Sequence, residues 1–288
     1  MFRVNQESRQ YETYILEDSD SQNRVEIVPE RGGIVTQWQV QGRELLYLDH
    51  ERFTHPELTV RGGIPILFPI CGNLPGDTYT HNGQPYTLKQ HGFARNLPWQ
   101  VVEQTTDSRA ALTVELTDNE TTHAQYPFAF QVRFTYELAG HTLTIHAQVT
   151  NRSAEPLPFA LGFHPYFAIP ATAKNQLNID LPATTLWDHQ TRTSQPFTGF
   201  DFTQPEIDIA FRPLTGQVAT VTQEHGTLTL EYDPAFTTLV FWTVAGKDFY
   251  CLEPWTAPRY ALTAGDDLIR LAPSDTWTAK IQFTAAIC

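Results

Sequence analysis

The sequence predicts an all-β protein, a sandwich or barrel of many short strands, and three features lead there. Apolar and polar residues alternate with a period of two, bounded by Gly, Pro, Asn and Asp, from one end of the chain to the other. A helical repeat of apolar residues is hard to find. The 20 prolines and 16 glycines are spread through the 288 residues instead of gathering in a linker, so residues 1–288 are expected to form one large domain.

In chain order, strands are expected at 24–28 and 34–40, then at 112–116, 131–138 and 142–149, and finally at 227–232, 238–243 and 278–283. The stretch 142–149 shows the logic. Leu143, Ile145, Ala147 and Val149 project to one side, and Thr142, Thr144, His146 and Gln148 to the other, as in a strand with one solvated face. Many such strands joined by turns argue against alternating βαβ units. The least regular stretch, 62–92, mixes Gly-Gly, Pro-Gly and Asn-Gly turns with apolar residues and is expected to cover one face of a sheet.

Composition excludes several classes. With 41% hydrophobic and 18% charged residues the chain is globular, and no apolar run approaches the roughly 18 residues of a membrane span. The beginning lacks a basic region followed by an apolar core and a small-residue cleavage site, so a cytoplasmic protein is expected. A net charge of −13 with scattered Lys and Arg argues against nucleic-acid and anionic-lipid partners. Cys71, Cys251 and Cys288 are odd in number and widely spaced, and are expected to be reduced thiols.

Two stretches carry candidate chemistry. In FALGFHPYF at 159–167 one histidine, His164, sits among aromatic and small apolar residues, where an imidazole is suited to act as a general acid. The alternative is a core histidine satisfied by backbone hydrogen bonds. In FYCLEPW at 249–255 a single carboxylate, Glu253, lies in an apolar run; burial raises its pKa and makes it a usable base, unless it pairs with an arginine. The stretch LKQHGFARN at 88–96 gathers polar groups around one glycine and suits either a ligand rich in hydroxyls or a surface turn. Arg61, before Gly62 and Gly63, offers a planar cation for sugar hydroxyls, a carboxylate, a phosphate or a salt bridge. Tyr166, Phe167, Trp187, Trp242 and Trp255 are candidates to stack on a sugar or to fill the core. Nucleophile elbows, phosphate loops and dinucleotide fingerprints are absent from the sequence, and no histidine has a second ligand at close regular spacing, so no metal is expected.

Four of these motifs, RGGIPILFP at 61–69, QHGFAR at 90–95, GFHPYF at 162–167 and CLEPW at 251–255, resemble in order and separation the aldose 1-epimerase family, over nearly the whole chain. The resemblance implies a large antiparallel β-sandwich of the galactose mutarotase-like type and no cofactor. It implies His164 as general acid and Glu253 as general base. His91 matches a second histidine near the sugar ring oxygen, while Gln90, Arg95 and Arg61 match positions that line the site in related hexose-6-phosphate mutarotases. Asp208 fits an aspartate that holds sugar hydroxyls, with Asp188 and Asp201 as competitors. GFHPYF looks like the branch acting on free sugars, and the two arginines like the sugar-phosphate branch.

The reaction so implied opens the sugar ring, with Glu253 taking the C1 hydroxyl proton and His164 protonating the ring oxygen. Rotation about C1–C2 and reclosure give the other anomer. The two groups are expected to face each other across one ring. The partner is a small-molecule hexose or hexose phosphate, with no nucleic acid or membrane involved, and the chain is expected to be a monomer or weak homodimer. A carbohydrate-binding protein without catalysis is the competing class.

Overall fold

The computed structural model describes residues 1–287; Cys288, one of the three cysteines expected to be reduced, lies outside them. Cys71 and Cys251 are buried free thiols. Every expected strand lies within an observed one, and the helices are short turns such as His50–Thr54 and Ala261–Ala264. Among the described residues no helix is long and apolar enough to cross a membrane.

Three large antiparallel sheets make up the architecture, beside two two-stranded pieces, Leu157–Phe159 with Ile269–Leu271 and Thr78–His81 with Gln84–Thr87. The first joins Phe2–Ser8, Glu12–Asp18, Asn23–Val28, Ile34–Val40 and Arg43–Glu44 in sequence order. The second, of eight strands, is built around the hairpin Phe130–Ala139 and Thr142–Asn151, with Thr276–Ile287 beside it. Its alternation is strict: Phe130, Val132, Phe134, Tyr136 and Leu138 are buried, with part-exposed residues between them. Burying each large apolar side chain contributes about 1.5–3 kcal/mol, which settles which face turns inward.

The third sheet carries the site. Its central strand, Phe249–Trp255, pairs with Thr238–Val244 on one side and with the short pieces Gly162–Phe163 and Tyr166–Ala168 on the other. Glu206–Phe211 extends the sheet beyond Thr238–Val244. All seven residues of the central strand are buried, so it shows no polar alternation in sequence. Tyr250 and Leu252 enter the main core, which draws on all three sheets. Phe249, Cys251, Glu253 and Trp255 alternate with them and belong to the opposite face.

The stretch 62–92 does more than cover a face. Ile66–Leu67 adds a strand beside Gly162–Phe163, and Gly92 bridges to Phe68. Gly92 has φ of +69°, and a Cβ there would meet the Phe68 carbonyl oxygen at 2.2 Å, so the chain passes this close only as glycine. Thus the residues between Arg61 and Arg95 are stitched to the edge of the site-bearing sheet.

Candidate active site

Strand register brings the two principal candidates together. Gly162 pairs with Trp255 and Tyr166 with Cys251, which sets His164 opposite Glu253. Facing residues on antiparallel neighbours have Cβ atoms about 4.5–5.5 Å apart, close enough for their side chains to touch. His164 Nε2 lies 3.4 Å from Glu253 Oε1. Glu253 Oε2 accepts a hydrogen bond from Trp255 Nε1 at 3.2 Å, fixing the carboxylate plane.

The alternative of a core histidine satisfied by backbone does not describe His164. Its main-chain N–H donates to Pro65 O at 3.0 Å, but among the described residues its Nδ1 has no partner and its Nε2 meets a carboxylate. The ring stacks on Tyr166 with centroids 4.8 Å apart and meets Trp242 edge-on at 5.5 Å. The expectation that acid and base face each other across a pyranose needs correction. Atoms 3.4 Å apart leave no room for a ring between them.

Burial governs the protonation of this pair. Glu253 is 1% exposed and His164 8%. Loss of water pushes the Glu253 carboxyl well above its ordinary value, with Asp208 adding to the effect and Arg259 opposing it. The same loss pulls His164 down to about 3, helped by Arg95. Each charged form is disfavoured, so the pair holds one proton between its two members and titrates as a unit.

His91 is the third member. Its φ is +67°, a left-handed turn that aims its ring back at Gly72. The His91 N–H donates to Gly72 O at 2.6 Å, and the Gly72 N–H donates to His91 Nδ1 at 3.1 Å. Nδ1 therefore carries no proton and Nε2 carries one. Burial, with Arg95 next, holds the ring well below the usual histidine range, so it stays neutral. Its ring lies 5.5 Å from that of His164 and 5.7 Å from that of Trp255.

These residues line a cavity of about 380 Å³ together with Arg61, Gln90, Arg95, Asp208 and Trp242. That volume suits a small ligand. A cavity of about 430 Å³ lies behind the same sheet, walled by Leu45, Phe167, Ile169 and Tyr250. Of the two, the smaller one brings a histidine nitrogen and a carboxylate into contact, and chemistry decides in its favour. Phe167 faces the other cavity, and Trp187 packs under the Arg212 guanidinium at 4.7 Å.

Of the three candidate aspartates, Asp208 lines the site. Asp188 and Asp201 accept hydrogen bonds within their own turns, from Gln190 and Thr191 and from Thr203 and Gln204. Register explains Asp208: it faces Trp242, which in turn faces Cys251, two positions from Glu253 on the same face. Sequence reading missed Arg259, which also lines the cavity and forms an ion pair with Asp208. The available signal was its position four residues beyond the CLEPW motif. Gly72 makes room for it, since a Cβ there would meet Arg259 Cγ at 2.3 Å.

The loop carrying Arg61 has its own anchor. Arg31 donates to the backbone carbonyls of Arg52, Phe53, His55, Pro56 and Leu58. Arg-Gly-Gly occurs twice, at residues 31–33 and 61–63, and the two differ in use, the first holding a loop and the second reaching the cavity.

With this geometry in place, comparison with known proteins is direct. The aldose 1-epimerase family profile matches residues 14–284, and the chain belongs to that family of isomerases, with its galactose mutarotase-like β-sandwich. The solved Slr1438 protein of Synechocystis sp. PCC 6803 is similar at 42% identity and a TM-score of 0.92, over 99% of each chain. A galactose mutarotase-like protein from Clostridium acetobutylicum, 18% identical, shares the fold with a TM-score of 0.85 over 100% of this chain and 99% of its own. A Cenchrus ciliaris protein provisionally named glucose-6-phosphate 1-epimerase is 23% identical over 274 residues, 88% of this chain and 79% of its own.

Proposed function

We propose that this protein is an aldose 1-epimerase that interconverts the α and β anomers of a hexose by opening and reclosing the ring. The observation that carries the reading is the 3.4 Å contact between His164 Nε2 and Glu253 Oε1 in the wall of a polar cavity. With the shared proton on His164, the Glu253 carboxylate takes the proton of the C1 hydroxyl while His164 protonates the ring oxygen. The C1–ring-oxygen bond breaks and the aldehyde forms. Rotation about C1–C2 presents the other carbonyl face, and the two proton transfers run in reverse. Each positioned transfer contributes about 10²–10⁴ in rate. His91, neutral and protonated on Nε2, donates a hydrogen bond to the sugar, and Asp208 accepts from its hydroxyls. No electrons or groups leave the substrate, so the reaction is written without a cofactor.

A second reading, a phosphorylated hexose as substrate, is favoured by the arginines. Arg61 lines the cavity with no ion pair among the described residues, and Arg95 has a buried Nε without a partner. The name of the Cenchrus ciliaris relative points the same way. Anomer exchange followed by polarimetry on fresh α-glucose, α-galactose and α-glucose 6-phosphate tests both. A catalyst accelerates at least one of them, whereas a carbohydrate-binding protein leaves every spontaneous rate unchanged. Losing a charged hydrogen bond to phosphate costs about 1.5–3 kcal/mol, so Arg61→Ala should lower kcat/KM for glucose 6-phosphate about 10–100-fold and spare glucose. Equal losses on the two sugars would count against the phosphate reading.

A further inference from the structure

Cys251 takes no part in the proposed reaction, yet it shares a face with Glu253 two positions away on the central strand. Its partner in register, Tyr166, is two residues from His164. As a result one ligand atom each from His164, Cys251 and Glu253 falls within 4.8 Å of the others, and all three residues are buried. We propose that these three side chains bind a thiophilic divalent cation of the zinc type, and that its binding shuts off the acid–base pair.

The donor set defines the ion. One thiolate, one imidazole and one carboxylate suit zinc or cadmium, while magnesium and calcium need an all-oxygen shell. Zinc–ligand bonds of about 2.0–2.3 Å put tetrahedral donors about 3.3–3.8 Å apart. The His164–Glu253 pair at 3.4 Å already meets this, and the Cys251 sulfur, within 4.8 Å of both, has to move in by about 1 Å or less to join them. Three protein ligands leave a fourth position open toward the cavity for water.

Charge is consistent with the assignment. The guanidiniums of Arg52, Arg61, Arg95 and Arg259 line the same cavity and oppose any cation, while Asp208, paired with Arg259, and Glu206 line it too. The Cys251 thiolate and the Glu253 carboxylate supply two negative charges that neutralise the dication. In balance, three metal–ligand bonds form, the Cys251 thiol proton and the proton shared by His164 and Glu253 pass to solvent, and no electron is transferred. The metal then holds the Nε2 lone pair and the carboxylate oxygen that proton transfer requires. Inhibition rests on the catalytic reading of this pair; binding does not.

The test separates the two. Cadmium is titrated into the full-length protein and the thiolate-to-cadmium charge-transfer absorption is followed, while zinc is titrated into the anomer-exchange assay. The wild type should develop the band, Cys71→Ala and Cys288→Ala should keep it, and Cys251→Ala should lose it. Cys251→Ala should also keep its basal activity and resist zinc. Removing a ligand weakens binding by at least the 10–100-fold typical of losing an outer-shell partner, so half-inhibition should need roughly 10–100-fold more zinc. A wild type without the band, or a band that survives Cys251→Ala, overturns the site. A band that behaves as stated, with zinc leaving anomer exchange unaffected, upholds the metal site and overturns its inhibitory role; absence of catalysis in metal-free wild type, with the band intact, sinks only the epimerase reading.

Discussion

His164, in the gap between two short edge strands, faces Glu253 on the central strand, with Nε2 and Oε1 3.4 Å apart in a wall almost closed to water. The facing register follows from two flanking pairs, Gly162 with Trp255 and Tyr166 with Cys251. Pro165 lacks an N–H, and the edge piece is broken at this point into Gly162–Phe163 and Tyr166–Ala168. The geometry of the acid–base pair is therefore a property of the sheet and needs no loop closure to form.

The pH profile of kcat/KM should show a broad plateau. Burial holds His164 down to about 3 and Glu253 well above the carboxylate range, so the pair neither gains its second proton nor loses its single one near neutrality. Activity should persist as pH falls through 6.5, the ordinary histidine value, and fail only far below it. An acid limb centred near that ordinary value, with circular dichroism unchanged, would contradict the burial argument.

Arg31 should act on substrate affinity through the loop it anchors. Its guanidinium meets five backbone carbonyls between Arg52 and Leu58, and lysine cannot reproduce that fork. Arg31→Lys is expected to cost about 2–3 kcal/mol in urea unfolding. It should raise KM more than it lowers kcat, because Arg61 is displaced while His164 and Glu253 stay in the sheet. A kcat loss without a KM change would argue against this division of labour.

Gly72 serves two residues at once. It exchanges hydrogen bonds with His91 and leaves space for Arg259. Gly72→Ala adds a Cβ 2.3 Å from Arg259 Cγ at a φ of +71°, a strain of about 1–3 kcal/mol. Reduced thermal stability together with a raised KM is the expected result. Arg259→Ala removes the crowded Cγ, so the double variant should be destabilised less than the sum of the two single changes.

His91→Ala should lower kcat about 10-fold or more through loss of a neutral donor. Because His91 is uncharged, the positions of both limbs of the pH profile should scarcely move. A large shift of the acid limb would mean that His91 itself carries the catalytic proton.

Much of this was legible before the fold was known. Strands with one solvated face, such as Thr142–Asn151, announce themselves by alternation, and all the expected ones are present. The strand Phe249–Trp255 is buried on both faces and shows no such period; its signal was the lone carboxylate in an apolar run. The distance between His164 and Glu253 was misjudged, because placing acid and base across a ring overlooks that both oxygens of the proposed reaction are bonded to one carbon. The grouping of Cys251 with the pair was hidden, since it depends on cross-strand register, and Arg259 was missed because it stands in the turn after the central strand, where only the fold brings it to Asp208.

The most direct measurement is anomer exchange by Glu253→Gln, run beside the wild type on the best of the tested sugars. Glutamine keeps the shape of the side chain and its contact with Trp255 but cannot take a proton. The expected result is a loss of about 10²-fold or more in kcat with circular dichroism and sugar binding retained. A folded Glu253→Gln protein that exchanges anomers at the wild-type rate would contradict the account.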